Sequence, residues 1–206
     1  MRCLDESLDS AARLDVPFVY FVGAPIYGPF RSWVDEDTPI HPRTEYGLHQ
    51  ARAEGRIRAH RARHLIVRLP NVVGPGANEH QLIPSLLRQA RSGSIHVQEG
   101  ATRDLIQAED VAEAVTALLR AGVANRTVVV ASGISTSARD LSVWLLAETR
   151  LAARIVASEG GEAQRFRIDL LRSLAPGAPV FAVDYPRRVV ADYVLREPDF
   201  LPGELP

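Results

Sequence analysis

Apolar positions along the chain alternate between two patterns. Leu4, Leu8, Ala11 and Ala12 recur at helical spacing within Leu4–Leu14, and Asp15-Val16-Pro17 closes that stretch. Phe18-Val19-Tyr20-Phe21-Val22 is a continuous apolar run, the pattern of a buried parallel strand. It ends at Gly23-Ala24-Pro25-Ile26-Tyr27-Gly28-Pro29, a loop by its glycines and prolines. Polar residues follow to Pro42, with Thr38 and His41 held extended by the prolines after them. The pattern then predicts a helix from Thr44 to about Arg63, a buried strand His64–Leu69, a loop Asn71–Gly76, a helix from about Glu79 to Arg91, and a short strand Ser94–Gln98. Asp110 stands where an N-cap is expected, ahead of Val111, Ala114, Val115 and Leu118 at helical spacing. Thr127–Val130 reads as a further strand and Ser137–Leu151 as a further helix, and from Gly160 the pattern weakens toward a Pro-rich tail. Strands alternating with helices predict βαβ units and a parallel sheet, an α/β chain. Its 206 residues, without repeat or linker, suit one domain.

Composition narrows the chemistry. With 46% hydrophobic residues and a net charge of −1, the chain has the makings of a core and no global attraction to nucleic acid or an anionic membrane. Cys3 is the single cysteine, which excludes a disulfide framework and a Cys-based zinc site. There is no apolar run of some ~18 residues, and Asp5, Glu6 and Asp9 are unlike a signal peptide, so a cytoplasmic location is expected. All 24 basic residues are arginine, which closes any mechanism needing a lysine of this chain. His60 and His64 are four apart, but no third ligand accompanies them and no metal is expected. Arg52, Arg56, Arg58, Arg61 and Arg63 form a basic stretch that could meet phosphates or be a solvated helix face.

The candidate chemistry lies at the start of the second predicted helix, Thr44-Glu45-Tyr46-Gly47-Leu48-His49-Gln50. Tyr46 and Gln50 are four residues apart and share a helix face. A tyrosine so placed can donate a proton, but abstracting one is harder, because a phenol ordinarily ionises near pH ~10. A cation about 4 Å away at an effective dielectric of ~20 would contribute about 4 kcal/mol, or roughly three pKa units. Gln50 can donate a hydrogen bond but carries no charge. The pair therefore reads as a poor base, or as an ordinary half-buried tyrosine.

Five segments in order resemble the extended short-chain dehydrogenase/reductase family, the NAD-dependent epimerases and dehydratases acting on nucleotide sugars. Phe18 to Gly28 resembles that family's strand and loop ending in Tyr-Gly, and Asp35-Glu36-Asp37-Thr38-Pro39 its acidic Thr-Pro stretch. Tyr46 falls on its active-site tyrosine. Arg68-Leu69-Pro70-Asn71-Val72-Val73-Gly74-Pro75-Gly76 is similar to the segment after the next strand, and Arg103-Asp104-Leu105-Ile106 through Asp110-Val111 to its Arg-Asp signature. The resemblance spans residues 1 to about 150 and implies an incomplete Rossmann-like, doubly wound parallel sheet with a small C-terminal substrate-binding region. Residues of about 1–70 and 105–135 would form the core, and about 71–104 and 136–206 the substrate side. It implies NAD as cofactor, met by Tyr46 and Gln50, and a nucleotide sugar, met by Asn71 on the sugar or phosphate and by Arg103 on the diphosphate. The residues alone leave other readings open, Asn71 as a turn residue beside Gly74-Pro75-Gly76 and Arg103 as a surface pair with Asp104.

Departures from the family pattern set the functional expectation. Gly23 stands where the family usually carries a Ser or Thr that bonds the reacting oxygen, and Gln50 where it carries lysine. Loss of one such donor costs ~10²-fold or more in rate. The family's Gly-rich pyrophosphate turn has no counterpart before Phe18. The 17 residues ahead of that strand are too few for two βαβ units, which need roughly 60 or more. The expectation is a truncated homologue with degenerate catalytic positions, weak or inactive alone and unable to hold NAD unaided. The alternatives are an enzyme half completed by a partner chain, a non-catalytic interaction module, or a start lying upstream of Met1. Phe18–Val22 would be the fourth strand of the doubly wound order, lacking its usual neighbour. Such an apolar edge predicts self-association or a covering partner.

Overall fold

The computed structural model describes residues 2–29 and 32–197, so the end of the expected Pro-rich tail lies outside the described residues. Helix α1 (Arg2–Leu14) buries Leu8 and Ala11, and Asp15 turns the chain with a left-handed backbone, φ 50°. Strand β1 (Phe18–Gly23) runs into a 3-10 turn, Ala24–Tyr27, followed by the short β2 (Trp33–Val34) and helix α2 (Glu45–Ala59). Strand β3 (His64–Leu69) leads through β4 (Asn71–Val73) to helix α3 (Leu82–Arg91). Next come β5 (Ser94–Gln98), β6 (Thr102–Gln107) and helix α4 (Ala108–Arg120). Then follow β7 (Arg126–Val129), β8 (Ser135–Ser137), α5 (Ala138–Thr149) and β9 (Arg154–Ser158), and finally β10 (Arg165–Phe166), α6 (Asp169–Leu174) and α7 (Tyr185–Arg196).

The apolar runs form the central sheet as expected, parallel throughout and ordered β1-β3-β7, with Tyr20 opposite Ile66 and Val67 opposite Val128. This is the Rossmann-like α/β arrangement. Strand β1 is at its edge, with no strand on the other side among the described residues, and Phe21 is 49% exposed. One core gathers α1, α2 and α4 on this sheet and includes Phe166, Ile168 and Leu171 from the weakly patterned C-terminal third. A second core packs α3, α5 and α7 with β5 and β6, through Leu86, Ile95, Leu105, Leu141 and Val190.

Several local expectations are corrected. Helix α2 stops at Ala59 rather than Arg63, because His60 turns extended (φ −87°, ψ 151°) and its Nδ1 accepts the Ala62 N–H at 3.1 Å. Helix α3 begins at Leu82, not Glu79, because Gln81 N–H donates to the Asn78 carbonyl in a turn. Asn71–Val73 is not loop but strand, paired in parallel with Leu105–Gln107. That pairing carries β6 unbroken to Gln107, which becomes the N-cap of α4 in place of Asp110. Asp110 lies in the first turn and accepts from the Tyr185 hydroxyl. Ser137 does cap its helix, its Oγ accepting the Asp140 N–H at 2.9 Å. Among the described residues no helix is long and apolar enough to cross a membrane, and no three His, Cys, Asp or Glu side chains are grouped to hold a metal.

Candidate active site

Helix α2 starts where it does because Thr44 Oγ1 accepts the Gly47 N–H at 3.0 Å, satisfying one of the orphan donors of the first turn. Gly47 then lets the helix press onto the loop after β1, since a Cβ there would lie 2.7 Å from the Pro25 carbonyl oxygen. This close approach brings Gln50 to the end of β1, where its Oε1 accepts the Gly23 N–H at 3.2 Å. The orientation of the amide follows, because a backbone N–H can only donate. Nε2 therefore faces Tyr46 and donates to its hydroxyl oxygen at 2.9 Å. With Oη accepting from Gln50, the tyrosine O–H hydrogen points elsewhere. Tyr46 is 61% exposed, and its hydroxyl is available to donate into the cleft.

Gly23, Tyr46, Gln50 and Asn71 line one cleft of about 330 Å³ at the C-terminal ends of β1 and β3, with Phe21 and His80 beside them. Open α/β sheets bind ligands at that end of their strands. Asn71 is on β4, not in a turn, and its Nδ2 donates to the Asp104 carbonyl at 3.1 Å and to Gln164 Oε1 at 2.9 Å. Its amide hydrogens are thus both used, and Oδ1 is the polar atom left to accept. Gly23 is extended (φ −86°, ψ 162°), and a Cβ would meet Pro25 Cδ at 3.3 Å, so a serine fits there with a small shift of the proline ring.

Arg103 does not join this cleft, nor does it pair with Asp104. Its Nη1 donates to the Thr102 and Glu162 carbonyls at 2.8 and 3.0 Å, and burial lowers its pKa, partly offset by Glu162. Asp104 points the opposite way, fully buried, and accepts from Ser132 N–H (3.0 Å), Ser132 Oγ (2.8 Å) and Gly133 N–H (2.9 Å). Burial pushes its carboxyl up to about 7 against those hydrogen bonds, which favour the ionised form.

Between α2 and β3 lies a buried ion pair that sequence patterns alone missed. Arg68 on β3 donates to Glu54 from Nη2 (2.7 Å) and Nε (3.3 Å), while Nη1 donates to Tyr27 Oη (3.2 Å) and the Glu36 carbonyl (3.1 Å). Burial acts to lower the Arg68 pKa, but Glu54 and Tyr27 raise it on balance, so the guanidinium stays charged. The Tyr27 phenol is pushed up to about 12, chiefly by burial with Arg68 opposing. The signal was available. An arginine inside the apolar run His64–Leu69 demands a buried partner, and Glu54 follows Gln50 by one helical turn on the same face.

A family model described as NAD-dependent epimerase/dehydratase matches residues 5–131. Among solved structures, RMD from Pseudomonas aeruginosa complexed with NADPH is 25% identical, with a TM-score of 0.71 over 86% of this chain and 66% of its own. A dTDP-glucose 4,6-dehydratase from Bacillus anthracis in complex with NAD shares the fold at 15% identity and TM-score 0.77, over 96% of this chain and 68% of that one. A UDP-N-acetylglucosamine 4-epimerase from Methanobrevibacter ruminantium M1, in complex with UDP-N-acetylmuramic acid, does so at 15% identity and TM-score 0.78, over 94% and 66%. The chain thus spans about two thirds of these structures, 66% to 68%. No curated protein sequence matches it. On the family match, which covers more than half of its length, the chain belongs to the NAD-dependent epimerase/dehydratase family.

Proposed function

We propose that the cleft binds a nucleotide sugar, with Tyr46 donating a hydrogen bond to a ligand oxygen rather than removing a proton. The observation that carries this is the Gln50 amide bridging Gly23 N–H and Tyr46 Oη. The neutral amide places no cation beside the phenol, and with Oη already accepting from Gln50 the hydroxyl is left to act as a donor. Asn71 complements it as an acceptor, suited to a sugar hydroxyl rather than a phosphate, since its two amide hydrogens are engaged. Neighbouring structures that hold UDP-N-acetylmuramic acid and NAD support the ligand class.

NAD fits the described residues only in part. Tyr46 and Gln50 face the cleft from α2, but both polar ends of Gln50 are already bonded within the protein. No described loop offers a Gly-rich pyrophosphate cradle at the free side of β1. In this reading the catalytic positions are degenerate and the chain alone holds NAD weakly or not at all. A second reading rests on the open edge of β1 and the exposed Phe21, where another copy or a partner chain would add the next strand and NAD would bind only in the mixture.

Isothermal titration separates these readings. Saturable binding of a UDP- or dTDP-sugar, weakened about tenfold in Tyr46→Phe, with no NAD binding by the isolated chain, is the expected result. Tight NAD binding by the chain alone would overturn it. Turnover regained by Gly23→Ser with Gln50→Lys, in the presence of a supplied cofactor-binding half, would locate the defect at these two positions.

A further inference from the structure

At the other end of the central sheet, where β3 and β7 begin, lies a cavity of about 890 Å³ walled by the end of α2, the loop after β2 and the outer edge of β7. Arg58, Arg61 and Arg126 line it together with the buried Arg68, and it shares no lining residue with the Tyr46 cleft. Arg58 is fixed in place, its Nη2 donating to Thr127 Oγ1 at 2.9 Å and pairing with Glu54 at 2.7 Å. Glu54 is shared with Arg68, so this trio has two guanidiniums for one carboxylate and is left with a net positive charge. Arg61 and Arg126 make no side-chain hydrogen bond or ion pair among the described residues and are free to turn onto a ligand.

The backbone adds a donor. Just after β7 the Val130 N–H donates to Arg68 O on β3, whereas the Val129 N–H at the strand's end points outward to Glu36 Oε1 at 2.7 Å. By strand alternation the Thr127 N–H faces the same outer side, and Thr127 lines the cavity. Two carboxylates oppose an anion here, Glu36 and Asp37. Glu36 is engaged by the Val129 N–H, and burial raises its pKa.

We infer that this cavity is a second ligand site, separate from the sugar cleft, built for a small polyanion of the phosphate class and held by Arg61, Arg126 and the Thr127 N–H around the fixed Arg58. Planar guanidiniums with free donors make paired, charge-assisted bonds to phosphate oxygens, and a pyrophosphate-sized group spans more than one of them. The occupant that fits is a pyrophosphate or a metabolite bearing one.

Inorganic pyrophosphate and citrate, titrated calorimetrically into the full chain, test this. Saturable pyrophosphate binding is expected, weaker by roughly tenfold for each arginine lost in Arg61→Ser plus Arg126→Ser. Removing the same charge elsewhere, by Arg120→Ser plus Arg139→Ser, is expected to change affinity by less than about threefold, the residue of long-range attraction screened by salt. Both pairs are exposed, and matching circular dichroism spectra check that each variant folds. Absence of saturable binding, equal weakening by the two double variants, or tighter binding of citrate than of pyrophosphate would each overturn the inference.

Discussion

Tyr46 and Gln50 occupy one turn of α2, and Glu54 and Arg58 the next two, on the same face of the same helix. The first pair is neutral and opens onto the cleft, whereas Glu54 is buried against Arg68 and held by both of its oxygens. A cation therefore does lie close to this helix, but its hydrogen bonds are aimed away from the cleft. Arg68 spends four hydrogen bonds on Glu54, Tyr27 and the Glu36 carbonyl, and none goes to Tyr46. Charge in this helix serves to anchor it to β3 and to the loop after β1, while the turn that carries the candidate chemistry works with hydrogen bonds alone. Chemical capacity depends on where the charge is aimed, not on whether one is nearby.

The largest expected effect attacks the charged turn. Arg68→Met leaves Glu54 buried with Arg58 as its remaining cation, and breaking such a pair costs about 3–5 kcal/mol. Urea denaturation should place the variant near the low end, because Arg58 persists. Adding Glu54→Leu should recover most of the loss, since an apolar pair of similar volume avoids the desolvation of two charges. If Arg68→Met alone is neutral, the contrast between the two turns fails.

Asp104 extends the contrast, being a buried carboxylate held by N–H and O–H donors without a cation. Its folded pKa of about 7 exceeds the unfolded value of ~3.9. Between those values the native state binds a proton that the unfolded chain does not, so stability contributed by this group is fully present below about pH 4 and is lost as pH rises to about 7. Asp104→Asn should remove that slope. At pH 5 it should also cost about 1–3 kcal/mol, because an amide NH₂ would confront the Gly133 N–H or the Ser132 donors. Denaturation midpoints of both proteins across pH 4–8 measure the two effects together.

Gln50→Glu tests the neutral turn with little change in shape. The carboxylate still accepts from Gly23 but now also accepts from Tyr46, which turns the phenolic hydrogen away from the cleft. Affinity for a nucleotide sugar should fall about tenfold, as for Tyr46→Phe. Titration of the two variants side by side reads this directly, and an unchanged affinity in Gln50→Glu would remove the donor role from Tyr46. Smallest is Thr44→Ala, which deletes the N-cap of α2 and should cost about 1 kcal/mol in thermal or urea unfolding. Fraying would begin at the turn that holds Tyr46.

Reading the sequence recovered the elements whose signal is local. Phe18–Val22 and His64–Leu69 are apolar enough to be strands in any parallel sheet, and the spacing in Leu4–Leu14 and after Ser137 identifies helices, although the first starts at Arg2 and the second ends at Thr149 rather than Leu151. Tyr46, Gln50 and Gly23 were picked out together, and they do share a cleft with Asn71. Elements shorter than one period escaped. Asn71–Val73 is a strand only because Leu105–Gln107 lies beside it, and Arg165–Phe166 only because Trp33–Val34 does. Asp110 has the composition of a cap, yet strand pairing runs to Gln107 and moves the cap three residues back. Arg103 and Asp104, adjacent in sequence, face opposite ways along a strand and cannot pair, a consequence of the alternation of side chains.

Local pattern thus established the α/β class, the order of the major elements, the absence of any lysine, and the pairing of Tyr46 with Gln50 on one helix face. It could not say which way the Gln50 amide points, because that depends on a backbone N–H 27 residues away. Nor could it say that Arg68 turns to Glu54, Tyr27 and the Glu36 carbonyl, or that Arg58, Arg61 and Arg126 line one cavity. Those facts arise from contacts between segments distant in the chain, whose directions are set by how α2 packs on the loop after β1 and on the sheet, and hydrogen-bond chemistry is decided by direction.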